Sequence, residues 1–164
     1  MSALTQEELA TNAITWEHIN RVQSLMQQVV SRLLIRAVVH DRSKLAPPEV
    51  EIFTIYTAKL KGLTYGSDEY KQCLVEMGPA LDHHYAQNDH HPEHHGNGVN
   101  GMDLLGLIEM LCDWKAAGER HANGSLPQSL EVNAPRFKID SQLAQILENT
   151  ARRLWPESFP QDSA

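Results

Sequence analysis

Leu33-Leu34-Ile35-Arg36-Ala37-Val38-Val39-His40-Asp41-Arg42-Ser43-Lys44 is the stretch from which the fold is read. An almost wholly apolar run delivers a histidine and an aspartate side by side. The run ends a longer helical pattern over residues 14–39, in which Ile19, Val22, Met26, Val29 and Leu33 recur at helical spacing. Thr15 or Asn12 is placed to cap its start, with Glu17 in the first turn. Such a run belongs in a core, and a bend within it is allowed. A charged Asp41 carried into apolar surroundings is costly unless it is paired or holds a metal. Taken alone, the dipeptide is better read as a helix cap beside a satisfied core histidine.

Outward from this stretch, the chain reads as helix after helix. Pro47-Pro48 suits the first turn of a helix running to Lys61, with Gly62 ending it. Another begins near Ser67-Asp68 and heads for His83-His84, with Pro79 kinking or dividing it. Residues 88–98, rich in turn formers and broken by Pro92, read as a loop. A strong helix is expected from about Gly101 to Arg120. Residues 123–140 read as irregular because of Gly124, Pro127 and Pro135. A last helix spans about 141–154, with Leu143, Ile146, Leu147 and Leu154 facing inward, before a polar tail at 156–164. The expectation is a compact, single, all-α domain over residues 1–164, its core at about 14–155. No strand alternation or internal repeat competes with it.

The bulk numbers agree with one folded domain. The chain has 164 residues, of which 41% are apolar, enough for a real core. The formal charge of −7 argues against a nonspecific hold on nucleic acid or anionic membranes. Cys73 and Cys112 form no Cys-x-x-Cys pair, which speaks against a disulfide framework or a thiolate zinc site. The polar N-terminus does not read as a signal peptide, and no apolar run is long enough to span a bilayer. The expected compartment is the cytoplasm. The unusual number is nine histidines, with His83, His84, His90, His91, His94 and His95 in one short stretch.

Two residues raise the standing of His40-Asp41. His18 lies along one side of the first helix with Val22, Leu25 and Val29, so its ring can point inward. Asp113 sits mid-helix after the apolar run Leu104–Cys112, where aspartate has poor propensity. A buried carboxylate needs a partner, and His18, His40, Asp41 and a metal supply one. Glu109, one turn before Asp113, shares its face and is either a general base or a carboxylate orienting a ligand histidine. Arg120 and His121 read chiefly as caps on the helix C-terminus. Trp16, Trp114 and Trp155 read as core or subunit contacts, which leaves a homo-oligomer open.

The order His18, His40-Asp41, Asp113 resembles the HD superfamily of metal-dependent phosphohydrolases over roughly residues 14–120. The string His40-Asp41-Arg42-Ser43-Lys44 looks like the family's His-Asp-x-x-Lys variant, in which the lysine contacts a substrate phosphate. The resemblance implies an HD-like helical bundle with a metal site between helices. It also implies that one of His83/His84 and one of His90/His91 are further ligands, as in two-metal members of the family, although these pairs lie only seven residues apart here. The ligand set so expected is His18, His40, Asp41, His84, His90, His91 and Asp113, with Lys44, Asp41 and Glu109 as catalytic groups. His94 and His95, beside Glu93, are expected at the surface.

A closer match in pattern is a family of small bacterial and phage proteins with no assigned function. It rests on His40-Asp41-Arg42-Ser43-Lys44, His90-His91-Pro92-Glu93 and Glu109-Met110-Leu111-Cys112-Asp113-Trp114. The His/Asp donor set suits one or two ions of Zn, Mn, Fe, Co or Ni without choosing among them. The function expected from the resemblance is hydrolysis of a nucleotide or other small phosphoester. A di-iron oxygenase of the same superfamily and a non-enzymatic metal-binding or interaction protein are the competing readings.

Overall fold

The computed structural model describes residues 3–64, 67–120 and 124–159. The chain is all-α, with seven α-helices and no strand among the described residues. The helices are α1 (Gln6–Val39), α2 (Glu49–Lys61), α3 (Asp68–Glu76), α4 (Gly78–Gln87), α5 (Leu104–Glu119), α6 (Leu126–Arg136) and α7 (Ser141–Leu154). Short 3-10 turns follow at Arg42–Leu45, Pro92–His94, Gly98–Gly101 and Pro156–Ser158. No helix is long and apolar enough to cross a membrane. The chain divides into two compact units, Met1–Val39 and His40–Ala164.

The first unit is one helix. α1 starts eight residues before the helix expected from residue 14, because Thr5 and Glu8 form a reciprocal cap: Thr5 N–H donates to Glu8 Oε2 (2.7 Å) and Glu8 N–H to Thr5 Oγ1 (3.2 Å). Thr15, expected as a cap, instead donates its hydroxyl to the Thr11 carbonyl inside the helix. α1 runs unbroken to Val39 with no buried residue.

The second unit carries the core. Leu107, Met110, Leu111 and Trp114 of α5 meet Leu126 of α6, Leu147 and Ala151 of α7, and Phe159. The Trp114 ring stacks on Phe137 at a centroid distance of 6.1 Å. Ile146 and Leu154, expected inward, are exposed; the buried ridge of α7 follows Leu143, Leu147 and Ala151 at i, i+4, i+8 and leaves those two beside it. α6 replaces the irregular segment expected over 123–140. Pro127 falls in its first turn, where no N–H is needed, and Pro135 in its last. His121 and Asn123 lie outside the described residues.

α2, α3 and α4 pack on one another, and α4 and α2 also pack on the Arg42–Leu45 turn. The division between α3 and α4 falls at Met77, with Pro79 in the first turn of α4. Side-chain caps fix the helix starts: Ser67 Oγ accepts from Tyr70 N–H, Asp103 Oδ1 from Gly106 N–H, and Asp140 Oδ1 from Leu143 N–H. Leu111 is buried at the centre of the core. Leu111→Ala should cost about 3 kcal/mol of stability, read as a lower urea midpoint with an unchanged slope.

Candidate metal centre

The site is assembled from four places in the second unit. His40 and Asp41 open it. Asp41 takes a left-handed backbone conformation (φ 57°) ahead of the Arg42–Leu45 turn, which a short polar residue tolerates. Its carboxylate makes no capping bond to that turn, so the helix-cap reading of the dipeptide does not hold. His84 comes from α4, where Ala80 and His84 form the buried i, i+4 face. His90 and His91 come from the loop ahead of Pro92. Glu109 and Asp113 come from one face of α5.

These side chains converge. One ligand atom from each of Asp41, His84, His90 and His91 lies within 4.8 Å of the others. Asp41 Oδ1 is 3.3 Å from His84 Nε2 and 3.5 Å from His90 Nε2. His84 Nε2 and His91 Nε2 are 2.9 Å apart. His40, Asp41 and Asp113 form a second such group, with His40 Nε2 at 3.4 Å from Asp41 Oδ2 and 3.8 Å from Asp113 Oδ1. Asp41 therefore turns one oxygen to each group. Lys44 places its ammonium 2.6 Å from Asp41 Oδ2 and 5.1 Å from the centre of the Phe53 ring.

Two glutamates hold the rings. Glu49 is fully buried. It accepts from His83 Nδ1 (2.7 Å) on one oxygen and from His84 Nδ1 (2.9 Å) and Ser43 Oγ (3.0 Å) on the other. Glu109 Oε1 lies 2.8 Å from His40 Nδ1 and 3.1 Å from His90 Nδ1. A carboxylate can only accept, so each Nδ1 facing one carries the proton, and the Nε2 atoms of His40, His84 and His90 offer their lone pairs to the centre. This is the outer carboxylate arrangement that orients metal-ligating histidines.

The electrostatics follow the geometry. Burial pulls the Asp41 carboxyl upward, but His84 and the Lys44 ammonium outweigh it and hold it well below the usual carboxylate range. Burial, aided by His90 and His84, pushes His91 down to about 2, so its ring is neutral. The hydrogen bond to Glu109 raises His40 despite its partial burial.

The donor set fits a divalent metal. Asp41 Oδ1 and His90 Nε2 are buried and have no hydrogen-bond partner. Both aim into the Asp41/His84/His90/His91 group. Ligand atoms ~2.1 Å from a tetrahedral ion sit ~3.4 Å from one another, close to the 3.3 and 3.5 Å measured here. Unpaired buried polar atoms at that spacing are costly without a cation among them.

Of the residues named from sequence, the structure brings together His40, Asp41, His84, His90, His91, Glu109, Asp113 and Lys44. His18 is an exposed residue of α1, in the first unit; both groups around Asp41 are made of second-unit residues. In the first histidine pair, His84 faces the centre and His83 faces Glu49. Both members of the second pair face the centre. His94 and His95 fasten the loop, with Nδ1 of His94 at 2.8 Å from the Tyr85 carbonyl and Nε2 of His95 at 2.9 Å from that of Asp89. Glu49 and Ser43 escape the sequence reading. Their only signal is a carboxylate six residues after Ser43 at a helix start, the ordinary place for a glutamate.

A cavity of about 570 Å³ adjoins the centre, with Lys44, His84, His91 and Asp113 among its lining residues. Its other walls include the cations Arg120 and Arg136 and the aromatic rings of Tyr85, Trp114 and Phe137. Arg136 pairs with Glu93 at 2.9 Å.

The chain is all-α, with a His/Asp cluster that could hold a metal ion beside a cavity lined by both cations and acids. Residues 7–153 match a family described as a family of unknown function (DUF5662), and the chain belongs to that family. No curated protein and no solved structure matches the chain.

His84→Ala should abolish metal uptake, read as bound metal per chain after dialysis, whereas His83→Ala should leave it intact. Glu49→Gln, which keeps the shape but can no longer accept from both rings as a carboxylate does, should weaken metal affinity by about 10–100-fold.

Proposed function

We propose that the protein is a metal-dependent phosphohydrolase acting on a nucleotide or another small phosphoester. The observation that carries the reading is the pair of unpartnered buried atoms, Asp41 Oδ1 and His90 Nε2, at the edge of a cavity that also presents Lys44. Asp41, His84, His90 and His91 would hold the ion. His40, Asp41 and Asp113 offer a second, looser position. When bound, such an ion polarises a phosphoryl oxygen and makes water a nucleophile near neutral pH.

The chain's own residues do the rest. Lys44 is held by Asp41 on one side and by the face of Phe53 on the other, so its ammonium is placed before substrate arrives. From there it stabilises charge developing on phosphate oxygens. Arg120 offers a cation to an anion, Arg136 being paired with Glu93, and Trp114, Phe137 and Tyr85 give an apolar surface for the organic part of the ester. Glu109 keeps His40 and His90 in register and acts as a positioning residue.

The test is metal analysis of the purified protein, followed by phosphate release from nucleoside monophosphates and simple phosphomonoesters with the metal found. Phosphate release is expected, and His84→Ala should remove it together with the metal. Lys44→Ala should keep the metal and lose about 100-fold or more in kcat. Two irons per chain with oxygen consumption and no phosphate release would replace this reading with an oxygenase. Bound metal with neither activity would leave a metal-binding protein.

A further inference from the structure

The structure assigns α1 a partner: we infer that it pairs antiparallel with α1 of a second copy of this chain. α1 is 34 residues long, about 51 Å of helix. None of it is buried, and Trp16, Ile19, Val22, Leu25, Met26, Val29 and Val30 are all exposed. In proteins most helical stability comes from packing an apolar face, and a helix this long with no buried residue is anomalous.

The spacing of that face identifies the kind of partner. Ile19, Val22, Met26, Val29 and Leu33 are separated by alternating steps of three and four, the seam spacing of paired helices. Trp16, Leu25 and Val30 flank the seam and widen it. In an antiparallel pair centred on residue 24, Val22 of each copy meets Met26 of the other, Ile19 meets Val29, and Thr15 meets Leu33. This register lies close to the midpoint of α1, so nearly the whole helix overlaps. At the four seam and flanking positions of each heptad it engages about 18 residues per copy, close to the ~20–30 a side of a stable interface. Leu34, Ile35 and Val38 lie outside the seam.

Charge sets the direction. The first half of α1 carries Glu7, Glu8 and Glu17 against the single cation Arg21, and the second half carries Arg32 and Arg36 with no acid. An antiparallel pair lays the acidic half of one helix along the basic half of the other, and it also opposes the two helix dipoles. A parallel pair would set like charge against like.

The experiment uses the full chain. Light scattering on the eluting protein should give twice the chain mass. Met26→Glu places a charge in the layer next to the dyad and should give a monomer of unchanged fold by circular dichroism. Ser24→Glu, on the outer face of the same turn, should stay a dimer. In a Cys73→Ser, Cys112→Ser background, Leu25→Cys should cross-link to its own copy across the dyad, while Ile19→Cys should not. A monomeric wild type would overturn the proposal, as would a dimer that survives Met26→Glu. Cross-linking through Ile19→Cys and not Leu25→Cys would mean a parallel pair and overturn it equally.

Discussion

The carboxylate of Asp41 is the constraint around which the second unit is arranged. It is largely buried, and burial by itself would drive it to take up a proton. It stays ionised because a cation, Lys44, sits 2.6 Å from one of its oxygens. Every element that reaches the site does so to face this group. α4 brings His84, the loop before Pro92 brings His90 and His91, and α5 brings Asp113 and the Glu109 that steadies two of the rings. The core of α5, α6 and α7 then holds α5 rigid behind them. Since interactions in such a cluster are shared, loss of one member disturbs the others.

The two glutamates divide the labour. Glu49 ties α2 to α4 through His83 and His84. Glu109 ties α5 to His40 and to the histidine loop. Each carboxylate engages two rings, so each ring is oriented by a group that is itself fixed by another contact. Such preorganisation is what a binding site needs from its outer layer.

The helical class was legible because long apolar periodicity survives without neighbours, as in residues 14–39 and 104–119. The boundaries were less so. α1 begins at a capping box among polar residues, where periodicity says nothing. α6 was hidden by Pro127, which sits in its first turn where no N–H is needed, and by Pro135, which the helix carries inside its last turn at the loss of one N–H donor. For the site, His40, Asp41 and Asp113 announced themselves as costly groups on apolar segments, and residue type marked the histidines. Which histidines face inward depends on how α4 is rotated and how the loop bends, and neither is written locally. Glu49 carried no signal, because a glutamate at a helix start looks the same whether it faces water or two imidazoles.

Three of the inward-facing histidines, His84, His90 and His91, lie within a single short stretch of chain. A chelate built from neighbours in sequence does not require the folded state. An unfolded chain carrying them would still grip a transition metal, and an ion that binds both states stabilises the fold only by the difference between them. Asp41, arriving from some forty residues upstream, is the ligand that only the folded chain can add. Under the proposed reading the metal is therefore a weak fold-stabiliser for its affinity. Its grip on the unfolded chain would let loading precede folding, with Asp41 docking last.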